Sequence, residues 1–204
     1  MRTLKRLPLL VALLALMFAP LVAGPARAAD PAIAPIDAFD STLLSVMKDG
    51  KSLGPKGRYQ RLAPVVHRTF DLPTMTKFAV GPAWASFTPA QQQATIEAFT
   101  RLSIASYAHN FADYSGQRFE IDPNVQTRGP DKIVQTHMYR PNDSPVNLTY
   151  RMRESGGTWK IIDIYFGSIS QLTTRRSDFA APIASGGAAG LLSHLNSLVD
   201  NLMK

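Results

Sequence analysis

The side chains most often used in catalysis are scattered along this chain. Its four histidines, His67, His109, His137 and His194, lie far apart in the sequence. None forms the pair of histidines four residues apart that a zinc-binding helix uses. The segment Gly167-Ser168-Ile169-Ser170 has the wrong spacing for the nucleophile elbow of a hydrolase, and its last serine better fits a helix cap. The sequence therefore predicts no catalytic residue, no metal site and no cofactor.

Two single residues keep an enzyme hypothesis open. Asp163 is the one carboxylate in an otherwise apolar predicted strand, and His109 lies on a partly apolar predicted helix. A buried carboxylate can act as a base, because burial disfavours its charged form. The alternative function is therefore an isomerase or dehydratase. The simpler interpretation is that Asp163 forms a salt bridge with a strand arginine or is exposed at an edge.

Apolar side chains dominate residues 70–84, FDLPTMTKFAVGPAW. The segment predicts a short helix that Asp71 can cap and that Gly81-Pro82 ends. It has no paired carboxylates, no cluster of metal ligands and no nucleophile. Such a segment favours the binding of an apolar ligand over catalysis.

This segment and residues 165–179, YFGSISQLTTRRSDF, together resemble the MlaC, or toluene-tolerance, family of periplasmic lipid-binding proteins. The resemblance covers roughly residues 37–203. Its Gly-x-x-Ser and Arg-Arg-Ser-x-Phe details are most similar to the hopanoid-biosynthesis-associated branch. Arg176 matches the family's arginine, whereas Arg175 stands where many members have tyrosine. The resemblance implies a sheet-and-helix fold, related to the nuclear-transport-factor-2-like shape, that encloses a deep apolar cavity.

The resemblance also implies a cargo and partners. The cargo would be a phospholipid or a hopanoid that travels between the inner and outer membranes. The partner at the inner membrane would be an ABC transporter with an MCE-domain subunit or, for the hopanoid branch, a resistance-nodulation-division type exporter. An outer-membrane complex and transient contact with membrane surfaces are further implied.

The N-terminus has the pattern of an export signal. Arg2, Lys5 and Arg6 precede an apolar run, and Ala26-Arg27-Ala28 fits a cleavage site. We therefore expect a cleaved signal peptide at 1–28, a single domain at 29–204 and a periplasmic protein. Without the leader, 18 basic residues face 15 acidic ones, a net charge of +3. That balance suits brief contact with anionic headgroups and argues against nucleic acid as a partner.

Periodicity predicts an α+β fold with a curved antiparallel sheet of about four strands wrapped by helices. Helices are expected at 35–48, 57–69, 88–114, 169–179 and 188–203, besides the short one within 70–84. Strands are expected at 118–121, 132–139, 146–154 and 158–166, and the last should be central because both its faces are apolar. Residues 29–35 should be disordered, 51–56 a loop, Pro64 a kink and Ser185-Gly186-Gly187 a flexible hinge.

The candidate lipid-binding residues are the large apolar side chains of the segment 70–84, the fourth predicted helix and the sheet. They are Met75, Phe78, Trp84, Phe99, Leu102, Tyr107, Phe111, Met138, Leu148, Tyr150, Met152, Ile164 and Phe166. Arg175 and Arg176 are candidates for contact with a headgroup or a partner. The sequence does not separate residues that line a cavity from residues that fill a core. A protein-binding scaffold therefore stays open as a second alternative to the lipid carrier.

Overall fold

Residues 29–204 are described in a computed structural model, and the predicted signal peptide lies outside them. Their helices are α1 (Ile33–Lys48), α2 (Gly50–Thr69), α3 (Leu72–Val80), α4 (Pro89–Asn110) and α5 (Gln171–Leu202), with a 3₁₀ helix at Gly81–Ser86 after α3. Their strands are β1 (Arg118–Ile121), β2 (Gln126–Arg128), β3 (Asp131–Tyr139), β4 (Val146–Ser155), β5 (Thr158–Phe166) and β6 (Ile169–Ser170). Within this range, no helix combines the length and the apolar character that a membrane span requires.

The strands form one antiparallel sheet in the order β1-β3-β4-β5-β6. The short β2 also pairs with β3, beside the half of β3 that β1 leaves free. The α+β class is confirmed, and the sheet has six strands where about four were expected. The two missed strands have three and two residues, too few to show a period of two.

The sheet presents one face to the core. Leu148, Tyr150 and Met152 on β4 are buried, whereas the residues between them are only partly buried. This alternation is the predicted one and indicates a sheet with one covered face. The core continues through α1, α2, α3, α4 and α5 as one apolar cluster.

The expectation that β5 is central is wrong, because β4 occupies the centre of the sheet. The apolar character of both faces of β5 has two causes. A register shift at Arg151/Met152 inserts Ile162 as an extra residue, so that Ile161 faces the core with Ile164. Helices α2, α3 and α5 also pack against this strand, and Ile161 and Ile162 are both fully buried.

The start of the described chain is ordered, contrary to the expectation for 29–35. The Asp30 carboxylate accepts hydrogen bonds from the Lys132 ammonium at 2.7 Å and from the Ala32 amide at 2.9 Å. Ala32 is fully buried, and α1 already begins at Ile33. A salt bridge to β3 therefore fixes a segment whose composition alone predicts disorder.

Helix α2 corrects one further expectation. It begins at Gly50 instead of after a loop at 51–56, and its backbone leaves helical geometry at Gly54, where φ is 62°. This break lies ten residues before Pro64, which keeps helical φ and ψ, and a bend of the helix axis at the proline stays a prediction. Glycine adopts positive φ without steric penalty, which accounts for the position of the break.

Local capping signals are confirmed. Thr88 and Gln91 form a capping box at the start of α4, with hydrogen bonds of 2.9 and 3.3 Å. Asp71 caps α3 and Ser170 caps α5. Helix α4 ends at Asn110, four residues before the expected end, because Phe111 leaves helical geometry.

Helix α5 joins the two helices expected at 169–179 and 188–203. The first of them begins at Gln171, because Ile169 and Ser170 form β6. The break falls at Gly186 and Gly187, the predicted hinge, where both glycines have non-helical backbone angles. Flexibility of the hinge stays a prediction.

Candidate functional site: an apolar cleft between helix α4 and the sheet

An apolar cleft lies between α4, the end of β5 and the start of α5. Its volume is about 130 Å³. The lining side chains are Phe70, Met75, Phe99, Leu102, Ser103, Ser106, Tyr107, Asn110, Phe111, Ile164, Phe166, Gln171, Leu172 and Arg175. Most of these side chains are apolar, and the polar ones are few, a composition typical of small-molecule sites.

Helix α4 supplies one wall of the cleft through a single face. Phe99, Ser103, Ser106 and Asn110 follow one another at spacings of four, three and four residues. Residues at such spacings lie above one another on a helix. The two serines are small, and they leave the space between the larger side chains from which the cleft is formed.

The inner end of the cleft is aromatic. The ring of Phe39 contacts those of Phe70 and Tyr107, with centroid distances of 5.0 and 4.9 Å and edge-on geometry. Tyr107 also contacts Phe111, with a centroid distance of 5.9 Å. We call Phe39, Phe70 and Tyr107 the aromatic cluster. It forms the wall between the cleft and helix α1.

The rim of the cleft is open to solvent and carries one cation. Phe166 is 43% exposed, and Ile169, just beyond it at the β5–β6 turn, is 62% exposed. The Arg175 side chain is one-third exposed, and its guanidinium lies 3.7 Å from the Asp178 carboxylate. At that distance the ion pair is loose, so that Arg175 can also bind an anion at the rim.

Eight of the fifteen candidate residues lie together in the lining of the apolar cleft. These are Met75, Phe99, Leu102, Tyr107, Phe111, Ile164, Phe166 and Arg175. Of the others, Leu148, Tyr150 and Met152 are buried in the core, and Phe78, Trp84 and Met138 are partly buried against it. Lipid contact by any of these residues stays a prediction.

Arg176 lies apart from the cleft. Its guanidinium donates two hydrogen bonds to the Phe78 carbonyl, in the last turn of α3. A carbonyl in that turn has no partner within the helix, so that Arg176 acts as a C-terminal cap for α3. Gly81 permits the approach, since a Cβ there would lie 3.1 Å from the Arg176 Nε.

Asp163 is buried, as the enzyme hypothesis supposed, and has neither the salt bridge nor the edge exposure of the simpler interpretation. It is 5% exposed, and its carboxylate accepts hydrogen bonds from the Ser170 hydroxyl at 2.7 Å and from the amides of Ile164 and Leu172 at 2.8 and 3.2 Å. It lies opposite Arg151 in the sheet, but that guanidinium binds Asp131 instead. Asp163 therefore fixes the start of α5. His109 is exposed at the end of α4, outside the cleft lining.

A buried carboxyl that sequence reasoning missed lies behind the aromatic cluster. Asp40 on α1 is 3% exposed, and the Tyr150 hydroxyl donates a long hydrogen bond, 3.4 Å, to its Oδ1. Its Oδ2 has no hydrogen-bond partner, and within the described residues no cation forms a salt bridge with it. Burial raises the pKa of Asp40 to about 7, the Tyr150 hydrogen bond opposes this rise, and the charge of Asp37 adds to it.

A second, wider groove of about 400 Å³ lies on the other side of Phe70 and Leu72. Its lining includes the polar or charged side chains of His67, Glu97 and Lys160. A lipid chain gains little there, because much of the lining is well solvated. The apolar cleft is therefore the better candidate site. Within residues 29–204, no group of three or more histidine, aspartate or glutamate side chains could hold a metal ion.

Comparison with known proteins decides the family. The sequence model of the MlaC protein family matches residues 37–197. The chain belongs to the MlaC family. Among solved structures, the phospholipid-binding protein from Ralstonia solanacearum, determined in complex with a phospholipid, superimposes with a TM-score of 0.74. The two sequences are 25% identical, and the match covers 86% of this chain and 100% of that one. This MlaC-family chain therefore shares its fold with a protein that holds a phospholipid.

Proposed function

We propose that this MlaC-family chain is a periplasmic lipid-binding carrier that moves a phospholipid between the inner and outer membranes. The observation that carries the proposal is the apolar cleft with a cation at its rim. The phospholipid-bound relative with the same fold supports it. Acyl chains would enter between α4 and the sheet, and a phosphate would lie near Arg175.

The physical task explains why such a carrier needs no catalytic group. At ~0.8 kcal/mol per methylene, exposing two ~16-carbon acyl chains to water costs roughly 25 kcal/mol. A carrier lowers this barrier when it replaces water with an apolar pocket. Met75, at the cleft, adds an adaptable side chain to the lining.

The cleft must widen to take such a ligand. Sites for small molecules usually measure about 300–1,000 Å³, and a cavity of about 150 Å³ holds one benzene. The cleft, at about 130 Å³, is close in volume to the cavity that holds one benzene and is smaller than a usual small-molecule site. We expect lipid binding to separate α4 from the first half of α5, since both line the cleft.

Native mass spectrometry of the protein recovered from the periplasm tests the proposal. A one-to-one lipid adduct is expected, and solvent extraction would identify the cargo as a phospholipid or as the alternative, a hopanoid. A clean protein mass, together with no uptake from phospholipid vesicles, would contradict the carrier and favour a protein-binding scaffold. Turnover of a candidate substrate that depends on Asp163 or His109 would favour the isomerase or dehydratase alternative.

A pair of matched variants localises the lipid to the cleft. Ser106→Phe places a phenyl ring in a cavity of benzene size, and we expect at least a tenfold loss of lipid uptake. Ser197→Phe makes the same change at an exposed position of α5 and should leave uptake unchanged. Equal uptake by both variants would show that the lipid lies elsewhere.

The rim also suggests how the carrier meets a membrane. Exposed Phe166 and Ile169 lie beside the opening, next to Arg175. We propose that this edge touches the bilayer during lipid exchange, and that the same edge faces an ABC transporter with an MCE-domain subunit, a resistance-nodulation-division exporter or an outer-membrane complex. Ile169→Ser should slow uptake from anionic vesicles without weakening the final complex. Unchanged uptake rates would exclude Ile169 from the contact.

A further inference from the structure

Two buried polar groups without partners lie behind the cleft. Among residues 29–204, the Oδ2 atom of Asp40 and the Oγ1 atom of Thr136 have no hydrogen-bond partner, and these two residues are 3% and 0% exposed. Buried polar groups in folded proteins are nearly always hydrogen-bonded, and an aspartate is seldom fully buried unless it is paired. Two such exceptions in the same chain require an explanation.

Each of the two groups is a neighbour of Tyr150, Thr136 across the sheet and Asp40 from α1. Thr136 lies opposite Leu148, and Val134, two residues earlier on β3, lies opposite Tyr150. Alternate residues share a face, so that the Thr136 hydroxyl and the Tyr150 ring project from the same face as diagonal neighbours. The Tyr150 hydroxyl reaches Asp40 on α1. We call Asp40, Thr136 and Tyr150 the polar site.

The polar site is separated from the cleft by one layer of side chains. Ile164 lines the cleft and is the strand partner of Tyr150. Tyr107 lines the cleft and contacts Phe39, the residue before Asp40. The charge of Asp40 also acts on Tyr107 and Tyr150, where burial and this charge raise both pKa values. A lipid that widens the cleft past the aromatic cluster would reach Asp40.

We propose that the polar site is the deep end of the lipid site and binds an uncharged oxygen-bearing group near the far end of an acyl chain, such as a hydroxyl. This inference rests on the proposed lipid-binding function. A neutral carboxyl provides one donor and one acceptor, and threonine and tyrosine hydroxyls provide both. Such a group would give a partner to the Oδ2 atom of Asp40 or to the Oγ1 atom of Thr136.

The same chemistry excludes an anion from the deep end. Among the groups facing Asp40, Tyr150 from β4 and Tyr107 from α4 are neutral, and Asp37 on α1 is acidic. A phosphate or carboxylate placed there would lose its water and, among residues 29–204, find no cation paired with Asp40. The anionic group of a phospholipid therefore stays at the rim beside Arg175, and this fixes the orientation of the ligand.

Competition binding with three fatty acids tests the inference. Palmitic acid, ω-hydroxypalmitic acid and hexadecanedioic acid share one chain length and end in a methyl, a hydroxyl and a carboxylate. At pH 6, where Asp40 keeps its proton, the wild-type protein should bind the ω-hydroxy acid at least as tightly as palmitic acid, and hexadecanedioic acid most weakly. The decisive quantity is the ratio of the Kd values for palmitic and ω-hydroxypalmitic acid, since it cancels general changes in affinity.

Variants of the polar site should change this ratio. Thr136→Val and Asp40→Leu should each lower it by about tenfold, because the ligand hydroxyl would lose a partner in a buried site. Asp40→Asn keeps a donor and an acceptor and should keep the ratio. Thr95→Val is the matched control, since that threonine is also fully buried but its hydroxyl bonds to Gln91.

The outcomes separate the inference from the proposed function. If palmitic acid binds and the ratio is the same in wild type, Thr136→Val and Asp40→Leu, the inference is wrong and the lipid-binding function stands. If the wild type takes up neither fatty acid nor vesicle phospholipid, both are wrong. Thr136→Val removes one hydroxyl at constant shape, so that it decides the question if Asp40→Leu fails to fold.

Discussion

Asp40→Asn should make the protein more stable at neutral and alkaline pH. The Asp40 carboxyl is buried on α1, and its one hydrogen-bond donor is the Tyr150 hydroxyl. Burial raises the pKa of Asp40 from 3.8 to about 7. The folded protein therefore retains a proton that the unfolded chain has already released between these two values.

The size of the effect follows from this difference. Each pH unit corresponds to about 1.4 kcal/mol, so that a difference of roughly three units amounts to about 4 kcal/mol. Between pH 4 and 7 the folded state binds more protons than the unfolded state, and the free energy of unfolding falls as the pH rises. Above pH 7 both states have lost the proton, and the cost remains. The asparagine side chain does not titrate in this range, so the unfolding free energy of the variant does not include this cost.

Urea denaturation at several pH values from 4 to 8 measures this contribution. The difference in unfolding free energy between Asp40→Asn and wild type should shift in favour of the variant by about 4 kcal/mol across this range. Asp200→Asn, at an exposed carboxyl on α5, serves as the control and should show little such shift. Parallel curves for Asp40→Asn and wild type would refute the reasoning, because they would mean that the Asp40 carboxyl is solvated in the folded protein.

Three further predictions concern the framework around the cleft. Gly50→Ala should destabilise the fold by about 3 kcal/mol, since a Cβ there would lie 1.7 Å from the Ala112 carbonyl oxygen; Gly186→Ala, whose added Cβ would have no atom within 4 Å, is the control in thermal unfolding. Asp163→Ala should cost about 3 kcal/mol in urea denaturation, because two hydrogen bonds at the start of α5 and one to the Ile164 amide of β5 are lost, and Asp163→Asn should cost less. Arg58→Met should cost about 3 kcal/mol in the same assay, since two buried carbonyls of α2 and α4 lose their donor; a wild-type midpoint would contradict this role.

Helix ends and long strands were predictable because their signals are local. The capping box of Thr88 and Gln91 satisfies amides within one turn of helix, so that the two residues suffice to place the start of α4. Likewise, the alternation of apolar and polar residues along β4 is enough to predict which face of this strand is buried. Elements set by distant partners could not be predicted in this way. The order around Ala32 depends on Lys132, about a hundred residues away, and β2 is a strand only because β3 is beside it.

The candidate site was only partly predictable, because its walls come from elements that are distant in the sequence. Large apolar side chains indicate a core and a cleft alike, so that Tyr150 and Phe99 could not be separated before the fold was known. The periodicity of α1 did, however, indicate that Asp40 is buried. On α1, Asp40 follows Ile36 by four residues and precedes Leu43 by three, which places the carboxyl in the apolar stripe of the helix.

The polar groups of the site imply a direction of entry. Arg175 lies at the solvent-exposed rim, where a charged headgroup keeps part of its water. Asp40 lies at the closed end, where 3% exposure and a missing cation favour a neutral partner. The segment between them is lined by Phe99, Leu102 and Ile164, which provide no hydrogen bonds. The phosphate and acyl chains of a phospholipid match the first two parts of this order, and an acyl chain that carries a hydroxyl near its end matches all three. Such a ligand would enter with the end of that chain first.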